Sequence, residues 1–300
     1  MTKKTKRTAR RAMIAGVAAG GLTAVAAGTA RAAIIYADNF DGTAGLVSGR
    51  SVTTATGLFG GTAGATWTSD AVVGSPNPDA LWNASGGTYS GTGTTDASVG
   101  TFTTGADANQ ITNAYLPFVP QSGLIYDAHI ALGSSGVGAS GNWLGMTFAP
   151  TNLNGHTSGG GSSALSNMAG AGLIIDKGSG QVQSFGGVGT ANGAINTAAG
   201  FIAQGTTTPT YHTFDILLDT TGVQWVVSWL IDGVAPSGVG PTSFTYTTNP
   251  SIGNIVFGSN KLTGAASDFS LTTVPEPGSM MMLGLGALVL TRRRGRATRN

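Results

Sequence analysis

The clearest pattern of apolar and polar positions is a hairpin from Tyr211 to Val234. Phe214, Ile216 and Leu218 fall on one side, with Asp215 and Leu217 on the other. A period of two puts successive side chains on opposite faces of an extended chain, so this segment reads as a half-buried strand. Asp219-Thr220-Thr221-Gly222 turns the chain, Val223 to Ile231 returns as an apolar strand, and Asp232-Gly233 signals a second turn. Leu124 to Leu132 alternates in the same way. Further strands are predicted at Ile34 to Tyr36, Asn113 to Val119, Trp143 to Phe148, Gly172 to Asp176, Gln181 to Phe185, Phe244 to Thr247, Ile252 to Phe257 and Asp268 to Val274. Lys177-Gly178-Ser179-Gly180 joins two of them, and residues 151–168 form a Gly/Ser/Asn loop.

Residues 33 to about 110 are poorer in strand signal. Asn39-Phe40-Asp41-Gly42 reads as a turn, and Trp67, Trp82 and Tyr89 are spaced through Gly/Thr/Ser runs. Recurring aromatics favour short strands on long connections over disorder. No helical period is convincing between residues 33 and 274. The fold class expected is all-β, an antiparallel β-sandwich or jelly roll over residues 33–273.

The two ends differ from this body. Residues 1–32 read as an export signal: Lys3 to Arg11 is basic, Ala12 to Ala27 is apolar and small, and Ala30-Arg31-Ala32 places small residues for cleavage before Ala33. Arg10-Arg11 is a loose twin-arginine pattern, which leaves the general secretory and the twin-arginine routes both open.

At the other end, Val274-Pro275-Glu276-Pro277-Gly278-Ser279 leads into Met280 to Leu290, a run without a polar side chain. Arg292, Arg293, Arg294, Arg296 and Arg299 follow. As a helix the apolar run would span about 16 Å against about 30 Å of hydrocarbon. It is short for a permanent anchor and adequate for a transient one, with the basic cluster held on the cytoplasmic side.

Charge partitions the same way. Of 15 Lys and Arg, only Arg50, Lys177 and Lys261 lie within 33–277, against all 13 acidic residues, so that segment is formally −10 although the whole chain is +2. An acidic body repels phosphate, which argues against a nucleic-acid partner. There is no Cys, hence no disulfide, thiolate metal site or Cys nucleophile.

The order of Pro275-Glu276-Pro277, apolar run and Arg292-Arg293-Arg294 resembles the PEP-CTERM sorting signal of Gram-negative bacteria over residues 274–300. The resemblance implies export, transient insertion of a short helix at 280–290 in the inner membrane, and an exosortase, a membrane cysteine transpeptidase, as partner. It also implies a place in the cell envelope, at the surface or beyond, where such tails accompany exopolysaccharide. The body resembles the concanavalin A-like lectin/glucanase superfamily, which includes laminin-G-like domains. The stretches that carry this likeness are Tyr211 to Asp219, Val227 to Gly233, Gly253 to Gly258 and Asp268 to Leu271.

Glycosidases of that superfamily use a Glu-rich strand, and Glu276 in the sorting motif is the chain's single Glu. Asp215 and Asp219 would lie about 13 Å apart on one strand face, too far for either glycosidase geometry. His129, His156 and His212 are isolated in sequence, and a Gly-x-Ser-x-Gly nucleophile turn is absent. Gly136-Val137-Gly138-Ala139-Ser140-Gly141 precedes a strand rather than a helix, so it predicts no phosphate site.

Trp67, Trp82 and Trp143 fall beside loops, where an indole could stack on a sugar; core packing is the competing reading. Trp225 and Trp229 share a face and are expected in the core. Asp38, Asn39 and Asp41 are a thin set of oxygen ligands for Ca²⁺, with turn-making as the alternative; no other cofactor is expected. The reading that results is a non-enzymatic, exported structural or carbohydrate-associating module, with extracellular polysaccharide as a partner. The alternative is a polysaccharide lyase or hydrolase on the same fold.

Overall fold

The computed structural model describes residues 32–40, 45–72, 82–84, 100–102, 111–134, 143–151, 171–187, 195–205, 210–260 and 264–274. All lie within one compact unit, Ala32–Val274. The expected signal peptide, with Ala30, and the sorting segment from Pro275 onward lie outside the described residues, as do Asp41 and His156.

The strands in chain order are β1 (Ala33–Asp38), β2 (Gly45–Leu46), β3 (Thr54–Ala55), β4 (Thr68–Val72), β5 (Trp82–Ala84), β6 (Gly100–Phe102), β7 (Ile111–Pro117), β8 (Ile125–Ser134) and β9 (Trp143–Ala149). They continue with β10 (Ala171–Lys177), β11 (Val182–Phe185), β12 (Ile195–Asn196), β13 (Thr210–Asp219), β14 (Val226–Ile231), β15 (Ser243–Thr245), β16 (Asn254–Asn260) and β17 (Gly264–Val274). Among the described residues there is no helix.

Two antiparallel sheets form. The larger has the order β15-β14-β13-β8-β17-β6-β5-β2, with β1 beside the second half of β17 and β3 beside β1. The smaller has the order β12-β11-β10-β9-β16-β7-β4. β10 packs on β13 and β14, and β8 on β9, so the sheets lie face to face.

Alternation along the strands builds the layer between them. Tyr126, Ala128 and Ile130 of β8, Phe214, Ile216 and Leu218 of β13, and Val227 and Trp229 of β14 are buried on one side. They meet Leu144, Met146 and Phe148 of β9 with Ile174, Ile255 and Phe257. Trp229 lies within this core and Trp225 packs against it, as their shared face predicts. At about 25 cal/mol per Å² of apolar surface removed from water, such a layer is the main driving force of the fold.

The sheets approach closely at Gly172, where β10 is irregular and φ is +56°. A Cβ there would stand 2.4 Å from Val227 Cγ2 and 2.9 Å from Ile216 Cγ2.

One irregularity shapes the outer side of the larger sheet. The β17–β8 register steps from Ser267–Ala131 to Ser270–His129, three residues against two. This is a β-bulge, and Asp268 within it has φ +48°. The bulge re-aims β17 as it leaves β6 and joins β1.

Candidate functional site

Asp38 closes β1 and is buried. Its carboxylate accepts hydrogen bonds from Phe40 N (2.8 Å), Arg50 Nε (3.3 Å) and Nη2 (3.2 Å), Thr53 Oγ1 (3.3 Å) and Trp67 Nε1 (2.8 Å). Both oxygens are engaged by protein donors, one of them cationic. Of the calcium set Asp38, Asn39 and Asp41, Asp38 is taken up in tying the following loop to the sheet, and Asp41 lies outside the described residues. Among the described residues no group of three or more His, Cys, Asp or Glu is arranged to hold a metal.

The stacking expectation is corrected as well. Trp67 is 1% exposed, with ring centroids 5.6 Å from Phe40 and 5.0 Å from both Phe257 and Phe269. Trp143 is wholly buried, and among the described residues its Nε1 has no hydrogen-bond partner. Neither presents a ring face to a sugar. The side chain of Trp82 lies outside the described residues.

The arrangement with chemical capacity lies on the outer side of the larger sheet. Residues paired across antiparallel strands project to the same face. Ser270 of β17 pairs with His129 of β8, and His129 pairs with Asp215 of β13, so the three form one row over three adjacent strands. His129 Nδ1 lies 2.5 Å from Asp215 Oδ1. Two residues along, Asp127 of β8 stands between Leu217 and Thr272. An open cleft of about 400 Å³ beside the row is lined by Ala37, Asp38, Asn39, Thr53, His129, Asp268, Phe269 and Ser270.

The electrostatics of this patch are those of a crowded acidic surface. His129 is held above the ordinary imidazole pKa, first by its hydrogen bond to Asp215, against the opposing effect of burial. Asp127 and Asp268 push it the same way. Burial raises Asp127 to about 6, with the charge of Asp215 adding to the rise. Among the described residues Asp127 Oδ1 is buried without a partner, which agrees with a carboxyl that resists ionisation.

His212 is placed differently. Its Nδ1 lies 2.8 Å from Asp232 Oδ2, and Thr213 N donates to Asp232 Oδ1 at 2.9 Å. Asp232 sits in the turn after β14 with φ +50°. This pair closes the open end of the β13–β14 hairpin, a structural role that brings together both ends of the resembling stretch.

The sequence reading treated His129 and Asp215 as separate polar residues and left Ser270 unremarked. The usable signal was the alternation itself, which sets Asp127, His129 and Asp215 on the outer faces of their strands. Strand order, which the pattern does not reveal, makes them neighbours.

None of the curated proteins matches the chain in sequence. Among solved structures, it is similar to an endo-1,3-beta-glucanase from Streptomyces sioyaensis at 14% identity and TM-score 0.49, covering 84% of this chain and 100% of that one. It is also similar to the Emp47p carbohydrate recognition domain at 10% identity and TM-score 0.40, covering 80% and 97%. A third is the VIP36 exoplasmic/lumenal domain in its Ca²⁺/Man-bound form, at 7% identity and TM-score 0.39, covering 78% and 90%. Residues 273–296 match the family described as the PEP-CTERM protein-sorting motif, and the chain therefore carries that motif, the mark of an exported protein handled by an exosortase.

Proposed function

We propose that the β-sandwich is a carbohydrate-associating module of the cell envelope or extracellular matrix, and that it binds neutral glycan without cleaving glycosidic bonds. One observation carries this reading: the cleft over β1, β8 and the β17 bulge. Its lining offers the side chains of Asn39, Thr53, His129, Asp268 and Ser270 beside Ala37, and contains no Lys or Arg. Convergent hydrogen-bonding groups beside a small apolar surface suit sugar hydroxyls and ring carbons. The acidic lining and the −10 body disfavour an anionic polymer. The sorting motif supports the location, since it is a signal for export and sorting.

The test is native electrophoresis of the exported protein through gels containing neutral or acidic polysaccharide. Retardation by a neutral polymer, lost in Asn39→Ala and Asp268→Ala, is the expected result. Migration unchanged in every polymer would sink the glycan reading and leave a purely structural role.

A further inference from the structure

We propose that Ser270, His129 and Asp215 form a second, catalytic constellation that hydrolyses neutral carboxylic esters bearing a small acyl group. The inference rests on the order of the three residues across the larger sheet and does not depend on glycan binding.

The order is the one nucleophilic acyl transfer requires. Asp215, 7% exposed, engages His129 Nδ1 at 2.5 Å from one side. With Nδ1–H committed to the carboxylate, Nε2 is the nitrogen left to take a proton. Ser270 is the cross-strand neighbour of His129 on the other side, at a Cβ separation of about 5 Å for such a pair. Ser270 and His129 line the same open cleft, so a substrate entering it meets both. Among the described residues Ser270 Oγ makes no hydrogen bond that would hold it elsewhere.

The strained residue of the bulge, Asp268 at φ +48°, lies two positions before Ser270. Without the extra residue of the bulge, the register of β17 would shift by one and carry Ser270 to the opposite face. The bulge therefore puts the hydroxyl beside the imidazole. Asp127, Asp215 and Asp268 all face His129 and favour its charged form, which suits an imidazolium formed during reaction.

The steps balance with water as the only co-reactant. Ser270 Oγ attacks the ester carbonyl carbon while its proton passes to His129 Nε2. The bond from the acyl carbon to the alcohol oxygen breaks, and the imidazolium returns that proton to the departing oxygen. Water then attacks the acyl-serine and gives a proton to Nε2. The Ser270 ester bond breaks, Oγ recovers the proton, and the carboxylic acid leaves. Asp215 acts as a positioning residue throughout. The acidic Asp268 in the lining selects neutral esters, and the shallow cleft beside Ala37 suits a small acyl group such as acetyl.

The test uses the full chain with a fluorophosphonate probe, followed by peptide mapping, and with p-nitrophenyl acetate as substrate. Ser270 is expected to carry the label, and His129→Gln to abolish labelling. Ser270→Ala, a mild change at a partly exposed position, is expected to lower hydrolysis about 10²–10⁴-fold. Asp215→Asn is expected to lower the rate and to move its acid limb to lower pH, because the carboxylate that raises the His129 pKa has lost its charge. A folded chain that takes no label at Ser270, or one that labels equally after His129→Gln, overturns the proposal.

Discussion

Trp67 Nε1 donates a 2.8 Å hydrogen bond to Asp38 Oδ2 inside the core, with both residues at 1% exposure. The same carboxylate pairs with Arg50 and holds Phe40 N, whose residue sits at φ +58°. A non-glycine residue in that conformation is strained and persists because its surroundings hold it. Here the Asp38 bond and the packing of the Phe40 ring on Trp67 and Phe257 do so. Asp38→Ala leaves Arg50 and the indole without their acceptor, and is expected to cost about 3–5 kcal/mol. Trp67→Phe removes a single donor and is expected to cost about 1–3 kcal/mol, including its lost packing. Urea unfolding of both variants measures this; a smaller loss for Asp38→Ala than for Trp67→Phe would contradict the central place given to the carboxylate.

Stability is expected to fall as pH rises from about 4 to about 7. Burial raises Asp176 to about 7, although Gln204 Nε2 donates to it at 2.9 Å. Between the unfolded carboxyl value and that pKa the folded state holds a proton that the unfolded state has released, so each pH increment favours unfolding. The stabilisation is complete below pH 4 and is lost once Asp176 ionises, an effect on the order of 4 kcal/mol. Asp127, raised to about 6, acts in the same direction. His129, also raised, contributes stability that is whole below its ordinary value and is lost as pH rises through its folded pKa. Melting temperatures at pH 5 and pH 8 should therefore differ, and Asp176→Asn should shrink the difference by raising the pH 8 value. A flat profile in the native protein would contradict the burial of Asp176.

Gly172→Ala is expected to destabilise the sandwich by about 2–4 kcal/mol, combining a left-handed backbone with a side chain forced into a packed core. The added methyl would collide with Val227 and Ile216 across the sheets. The backbone N of Gly172 also donates to Tyr246 Oη at 2.9 Å, so a displaced β10 would break that bond. Equilibrium denaturation checks this, and an unchanged midpoint would mean that the sheets are not in contact there.

The exported protein is expected to begin at Ala33 and to lack the residues that follow Pro277. Intact mass of the protein recovered from the envelope or medium settles it. A species that retains Arg292 to Asn300 after arrival would overturn the processing expectation.

Much of the sandwich was legible in the chain, because burial of one strand face imposes alternation. Leu124 to Leu132 overlaps β8 from Ile125 onward, and Tyr211 to Leu218 and Trp143 to Phe148 fall within β13 and β9. β4 and β6 were missed, since Thr68–Val72 and Gly100–Phe102 are too short or too mixed to show a period. β17 begins four residues before the expected Asp268, in a Gly/Ala/Ser stretch whose small residues give no hydrophobic signal. Strand returns were blurred at Val223 to Gln224, which the turn before β14 keeps exposed.

The sequence by itself determined the chemistry of the ends, the acidic body, the absence of a Glu-based glycosidase strand and the face each polar residue takes. A periodic pattern is local, and so is a sorting motif. Only the tertiary structure decided that Trp67 and Trp143 are interior, since an indole beside a loop can turn either way. It alone made Ser270, His129 and Asp215 neighbours, because that row depends on which strands pair and on the bulge at Asp268. Pairing between residues 141 apart in the chain (Ser270 and His129) leaves no trace in local spacing.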